Sequence, residues 1–188
     1  VPEDNQRRLV VAGDRLYATL GFDGPVSILD AVSGEVLTHV EGTECTREIL
    51  AAEGVVAAYV NESSFNAGER RGEPRTGEPK LVVFDGTDGR VLWSAEIDAI
   101  RSTCIAIQGE RLVYLTSQNL VCRSLRTGDV LWSVKPDKTA MQTMLAIEDT
   151  VVLDLGGQLE VYDIQEGKLL WNRNVPKISG IETKDIFV

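Results

Sequence analysis

Trp93, Trp132 and Trp171 are the only tryptophans in the chain; they stand 39 residues apart, and each closes the same phrase. Aligned on its glycine, the phrase runs from Ser27 through Asp30 and Gly34 to Thr38, and from Val82 through Asp85 and Gly89 to Trp93. Its third copy runs from Val121 through Thr127 and Gly128 to Trp132, and its fourth from Glu160 through Asp163 and Gly167 to Trp171. A fixed period near 40 residues marks a repeat architecture, in which no unit buries its apolar face alone and neighbours must stack.

Within each repeat, four short runs rich in Val, Ile, Leu and Tyr are separated by Gly, Asp, Asn and Ser, the alternation expected of strands and turns. The pattern predicts strands at about 8–12, 15–20, 26–30 and 35–40, then 48–52, 55–61, 80–85 and 90–96. The third repeat gives 103–107, 111–116, 120–124 and 130–134, and the fourth 143–147, 151–155, 158–163 and 168–172. Connections of two to five residues make consecutive strands antiparallel neighbours, because a parallel crossover needs about a dozen residues or more. Gly89 lies 55 residues after Gly34, 16 more than the 39-residue period, which locates an insertion at about 62–79. Its Gly, Pro and charge content reads as a mobile surface loop.

Tandem four-stranded antiparallel units of this length are the sequence signature of an all-β fold, the β-propeller, with one blade per unit. The expected blades are 7–41, 46–97, 102–135 and 142–173, and the stretch 178–188 reads as the start of a fifth because it resembles the opening of the fourth. Propellers carry about four to eight blades, so the remaining blades of a six- to eight-bladed ring are expected from sequence outside this chain. The chain starts at Val1, not at an initiator methionine, and is expected to be a processed form or an excised fragment.

The net charge of −10 has the wrong sign for a phosphate backbone or an anionic membrane, which argues against nucleic acid as a partner. No run approaches the roughly 20 apolar residues of a membrane-spanning helix. Cys45, Cys104 and Cys122 lack the paired spacing of a zinc site and read as small buried hydrophobes. Cys104 and Cys122 fall on non-neighbouring strands of one repeat, about 9.5 Å apart, beyond disulfide reach. His39 is the single histidine and sits on an outer strand, which leaves no multi-histidine metal site. The segment from Asp85 to Gly89 lacks the spacing and distal glutamate of an EF-hand calcium loop and reads as a turn. The sequence Asn61-Glu62-Ser63 has the form of a glycosylation site, a pattern frequent by chance.

The glycine of each phrase falls in the turn between the third and fourth strands, where positive φ favours it. The aspartate four residues earlier (Asp30, Asp85, Asp163, with Ser124 in its place in the third repeat) can accept hydrogen bonds from turn amides. The tryptophan four residues later offers a flat apolar surface and an indole donor with which to join neighbouring blades. This Asp-x-x-(Thr/Ser)-Gly-x-x-x-Trp pattern resembles the tryptophan-docking motif of PQQ-like, or quinoprotein-type, β-propellers. The likeness covers all four repeats, with Thr38 standing for tryptophan in the first.

That resemblance implies one of two roles: a quinoprotein dehydrogenase holding pyrroloquinoline quinone and calcium on the propeller axis, or a non-catalytic scaffold such as the outer-membrane assembly lipoprotein. Many relatives are exported, so a periplasmic or otherwise extracytoplasmic place is expected from the resemblance. The chain lacks the adjacent Cys-Cys pair found in many of the enzymes. It is therefore read as a scaffold or recognition module for protein or a small ligand, with no cofactor and no catalytic residue assigned. The alternatives are a fragment of a PQQ-dependent dehydrogenase, or an accessory propeller fused to a separate enzyme domain. Arg70, Arg71 and Arg75 form a basic spot on an acidic chain and are the candidate partner-binding residues, suited to a carboxylate or phosphate. A solvated loop without a partner is the other reading of the same residues.

Overall fold

The computed structural model describes residues 7–21, 23–62, 77–137 and 143–174. Among them there are sixteen strands and no helix, arranged as four antiparallel four-stranded sheets, each a meander of consecutive strands. The first sheet comprises β1 (Leu9–Ala12), β2 (Arg15–Thr19), β3 (Val26–Asp30) and β4 (Val36–Val40). The second comprises β5 (Thr46–Ala52), β6 (Val55–Val60), β7 (Lys80–Asp85) and β8 (Val91–Glu96). The third holds β9 (Ile100–Gln108), β10 (Arg111–Thr116), β11 (Leu120–Ser124) and β12 (Val130–Val134). The fourth holds β13 (Thr143–Ile147), β14 (Thr150–Asp154), β15 (Gln158–Asp163) and β16 (Leu169–Asn174).

Three sequence-based boundaries move by two residues or more, and the rest by at most one: β16 runs on to Asn174, and β5 and β9 start early. β5 begins at Thr46 and β9 at Ile100, each ahead of the alternating run that suggested it, because ladder pairing continues past a bulge: Thr46 pairs with Val60, and Ile100 with Thr116. The inserted Arg70, Arg71 and Arg75 and the stretch 178–188 lie outside the described residues.

The chain divides into two compact units. One contains Val1–Ala99 together with the turn Leu125–Gly128, and the other contains Ile100–Ser124 and Asp129–Val188. In the first unit, Tyr17, Val26, Ile28 and Val40 pack against Ile49, Val56, Ala58 and Phe84, all buried. In the second, Val113, Leu115 and Cys122 pack against Val151, Leu153 and Tyr162, with Trp132 partly buried against them. β6 (Val55–Val60) is buried at every residue, covered on two faces, and so reads as a continuous apolar run.

The buried carboxylates of these interiors, Glu48 and Glu160, are partnered. Glu160 is fully buried, and its carboxylate accepts from Gln158 Nε2 (3.0 Å) and the Tyr162 hydroxyl (2.6 Å). Burial, together with that carboxylate, pushes the Tyr162 hydroxyl well above the ordinary tyrosine range. In the first unit, the Arg7 guanidinium holds the buried Glu48 carboxylate through Nε (2.8 Å) and Nη2.

All four outer strands carry the same irregularity. Ile28 pairs with Thr38 while Leu29 pairs with Val36, so Leu37 has no opposite residue. Leu92, Leu131 and Leu170 are skipped in the same way, each immediately before its tryptophan. Two outer residues therefore oppose one inner residue, as in a β-bulge. The bulge aligns the Trp position with a third-strand residue (Ile28, Val83, Cys122 or Val161), two of which, Ile28 in the first unit and Cys122 in the second, belong to the core of their unit.

Candidate functional site

The sequence phrase becomes a closed turn with a fixed bond set. Gly34 N–H donates to Asp30 O, Gly89 N–H to Asp85 O and Gly167 N–H to Asp163 O, each at 2.9 Å. The aspartate side chain then takes the amides inside the loop. Asp30 Oδ1 accepts from Val32 (3.0 Å) and Ser33 (2.7 Å), Asp85 Oδ1 from Thr87 (2.8 Å), and Asp163 Oδ1 from Gln165 and Glu166 (2.8 Å each). At Asp30 and Asp85 these bonds stabilise the ionised carboxylate. The Ser33 amide and hydroxyl hold Asp30 below the usual carboxylate range, and the Thr87 amide does the same for Asp85. The glycines sit at φ of +75° (Gly34), +78° (Gly89), +78° (Gly128) and +70° (Gly167).

Positive φ is only part of the reason for glycine. A Cβ built on Gly128 would lie 2.7 Å from the Trp93 ring, and one on Gly167 would lie 2.7 Å from the Trp132 ring. Each indole thus rests on a glycine of the following repeat. Its N–H donates to the carbonyl three residues before that glycine, Trp93 Nε1 to Leu125 O at 2.8 Å and Trp132 Nε1 to Ile164 O at 2.9 Å. Arg111 Nε shares the Ile164 carbonyl at 3.2 Å. The joint has two halves, a tryptophan on a bulged outer strand and a glycine turn with an aimed carbonyl.

The first joint, where Thr38 stands in place of tryptophan, is built differently. The carbonyl three residues before Gly89 belongs to Gly86, and it accepts the Tyr17 hydroxyl at 2.9 Å. Space over Gly89 is filled by Thr38 and Val40, whose methyls lie 3.2 Å from a Cβ built there. Tyr17 stands in register with Ile28 and, through it, Thr38. The same register positions elsewhere hold Ala57 beside Trp93, Val113 beside Trp132 and Val152 beside Trp171. Where the outer strand carries tryptophan, the second strand carries a small residue; where it carries Thr38, the second strand carries tyrosine. Motif reading along the outer strand missed this residue, because its signal is the lone tyrosine at that position.

Trp171 differs from its counterparts: it is 45% exposed, with Leu169 and Leu170 exposed beside it. His39 is exposed, and its Nδ1 lies 2.9 Å from the hydroxyl of buried Ser27. Asn61 is buried and its Nδ2 donates to the Tyr59 hydroxyl at 3.0 Å, which places the amide of the Asn61-Glu62-Ser63 pattern inside the fold. The three cysteines are free and buried. Among the described residues, no three His, Cys, Asp or Glu side chains gather as ligands for a metal ion. No ligand set for calcium is thereby identified among the described residues, and no chemical step is derived through calcium or quinone. No helix of the described residues is long and apolar enough to cross a membrane.

The sequence pattern of the family described as outer membrane protein assembly factor BamB matches residues 23–185. No curated protein sequence matches the chain significantly. Among solved structures, BamB from Moraxella catarrhalis is similar at 17% identity with a TM-score of 0.66, over 96% of this chain and 52% of that one. The computationally designed Ika8 protein is similar at 16% identity with a TM-score of 0.69, over 89% of this chain and 48% of that one. The designed Ika4 protein gives 15% identity and a TM-score of 0.62, over 87% of this chain and 94% of that one. The chain thus spans about half the length of the first two. At these identities the likeness shows the fold, a segment of a β-propeller with PQQ-like repeats.

Proposed function

From the premise that the chain belongs to the BamB family of outer membrane protein assembly factors, whose pattern covers residues 23–185, we propose that it is a non-catalytic β-propeller scaffold that binds protein. The observation that carries this reading is where the repeated residues go. The aspartates close turns, the glycines seat indoles, and Trp93, Trp132 and Tyr17 spend their polar hydrogens on neighbouring turn carbonyls. The most distinctive side chains of the sequence hold sheets together and leave exposed loops for recognition.

The family name suggests outer-membrane proteins as the partner class and an extracytoplasmic place of work. Arg70, Arg71 and Arg75 supply the basic spot on an acidic chain and are the residues proposed to meet an acidic partner. The test incubates the chain with PQQ and calcium and assays dye-linked alcohol oxidation, and in parallel measures binding to unfolded outer-membrane β-barrel polypeptides by fluorescence anisotropy. Binding that weakens in R70E/R71E/R75E, with no oxidation, supports the scaffold. Turnover that depends on the quinone would replace this reading with the dehydrogenase, and absence of binding would remove the assembly role.

A further inference from the structure

At the head of the second strand, opposite the residue that opens the turn between the third and fourth strands, two of the four sheets carry arginine. Arg15 pairs there with Asp30, and Arg111 with Ser124; the other two sheets have Val55 and Thr150. Arg111 has its acceptor. Its Nε donates to the Ile164 carbonyl at 3.2 Å, the same oxygen that takes the Trp132 indole at 2.9 Å, so both lone pairs of that carbonyl are used. The matching oxygen of the first joint is that of Gly86, which takes the Tyr17 hydroxyl at 2.9 Å. Arg15 stands beside this bond. Tyr17 lies two residues along β2 and so on the same side of the sheet. Burial raises the Tyr17 hydroxyl above its ordinary range, the Arg15 charge opposes this, and Asp14 and Asp85 add to it. Yet Arg15 Nε is buried and, among the described residues, meets no acceptor. A buried N–H left so costs free energy, and native interiors rarely keep one. The guanidinium rests instead on its own turn, with Nη1 2.8 Å from the exposed Asp14 carboxylate and 3.4 Å from the Asp14 carbonyl.

We propose that Arg15 is a latch on the first joint, with two positions: on Asp14, and with Nε donating to the second lone pair of the Gly86 carbonyl beside the Tyr17 hydroxyl. The second position is the arrangement that Arg111 already holds on the Ile164 carbonyl. An exposed ion pair stabilises weakly and is screened by salt, and a buried N–H without an acceptor costs at least as much. The two positions are therefore close in free energy, and loss of the Asp14 pair tips the balance toward the joint. Asp14 is 77% exposed, so the latch is worked from outside. Whatever neutralises that carboxylate, salt or a cationic group of a partner, releases Arg15 to tighten the contact between the first two sheets.

Nuclear magnetic resonance of arginine Nε–H exchange in the 188-residue chain tests this, with Arg111 as the internal standard. In the parent, Arg15 should exchange faster than Arg111. In Asp14→Ala it should slow by about fivefold, the factor that one hydrogen bond of ordinary strength supplies, while Arg111 is unchanged. The thermal midpoint of Asp14→Ala should rise although an ion pair is lost. High salt should slow Arg15 exchange in the parent and leave Asp14→Ala as it is. In an Arg15→Lys background, which keeps the charge and lacks Nε, Asp14→Ala should give no rise in midpoint. Arg15 exchange that responds neither to Asp14→Ala nor to salt overturns the proposal, as does a midpoint that falls equally in both backgrounds. Should Arg15→Lys fail to fold, the exchange rates in the parent and Asp14→Ala decide alone.

Discussion

The Tyr17 hydroxyl donates to the Gly86 carbonyl at 2.9 Å, the place that a tryptophan indole takes in the two joints that follow. The exchange is matched on both sides. Tyrosine occupies a register position held elsewhere by alanine or valine, and Gly86 is small because a Cβ there would lie 2.5 Å from the Tyr17 oxygen. Tyr17→Phe removes the donor and leaves a carbonyl to be satisfied otherwise, at a cost of about 1 kcal/mol. Thr38→Trp alone should destabilise, because the indole and the tyrosine compete for one carbonyl. Tyr17→Val/Thr38→Trp should recover more than about 1 kcal/mol relative to the sum of the single changes. Urea unfolding of the four proteins gives the coupling directly, and additive behaviour would deny that the two residues share a site.

Gly34, Gly128 and Gly167 have nearly equal φ, so alanine imposes similar backbone strain at each, on the order of 1 kcal/mol. Only at Gly128 and Gly167 would the new methyl also strike an indole at 2.7 Å. Gly34→Ala should cost about 1 kcal/mol, and the other two about 2 to 4 kcal/mol. The excess measures the contact between tryptophan and glycine apart from conformational strain. Equal losses in urea unfolding at all three positions would reduce the glycine's role to its φ alone.

Trp132 is partly buried, against the core of the second unit, whereas Trp171 is 45% exposed. Trp132→Ala should therefore destabilise by about 2 to 4 kcal/mol, toward the lower part of the range for burial in a full core. Trp171→Ala should cost under about 0.5 kcal/mol. Tryptophan fluorescence and thermal unfolding of the two variants separate them, since the Trp93 and Trp132 signals should shift further to the red than that of Trp171 as the fold opens.

Asp30 and Asp85 tie pH to the turns. Hydrogen bonds from Ser33 and Thr87 lower their folded-state pKa values, so their contribution is present above the unfolded value of about 3.9 and is lost as pH falls through the folded one. Both carboxylates are exposed, and solvent keeps the effect small. Thermal midpoints of Asp30→Asn/Asp85→Asn should lie below those of the parent at pH 6 and approach them toward pH 2. A constant gap across that range would show that the charge on the carboxylates contributes nothing.

Strands, turns and the period were legible because they are written in residues with local consequences. Gly89 needs positive φ, Asp85 accepts from the amide two residues on, and alternation sets the faces of a strand. Joint chemistry was half legible. Trp93 and Trp132 announce a flat surface and a donor, but their acceptors, Leu125 O and Ile164 O, are backbone atoms that carry no sequence signal. Tyr17 was hidden because it lies 21 residues before Thr38 and reaches that position only through the β2–β3–β4 register. The leucines before the tryptophans looked like ordinary strand residues, and a bulge is visible only once both strands are paired.

Cys122 is fully buried in the second unit, beside Val113 on one strand and Trp132 on the other. Burial pushes its thiol up to about 11, with Arg111 opposing weakly. At pH 8 the thiol is therefore protonated as well as enclosed, and both conditions suppress reaction, since the thiolate is the nucleophile. Ellman's reagent should find no reactive thiol in the native chain and three in denaturant, because Cys45 and Cys104 are buried too. The same shift fixes an alkaline trend. A thiol whose folded pKa stands above the unfolded value of about 8.5 contributes fully below that value and loses the contribution as pH rises toward 11. Cys122→Ser, which carries no ionising thiol, should be less stable than the parent at pH 7 through its buried hydroxyl, and the gap should narrow by pH 10. Native labelling of Cys122 at the rate of a free thiol would show that the joint around Trp132 opens far more readily than its packing implies.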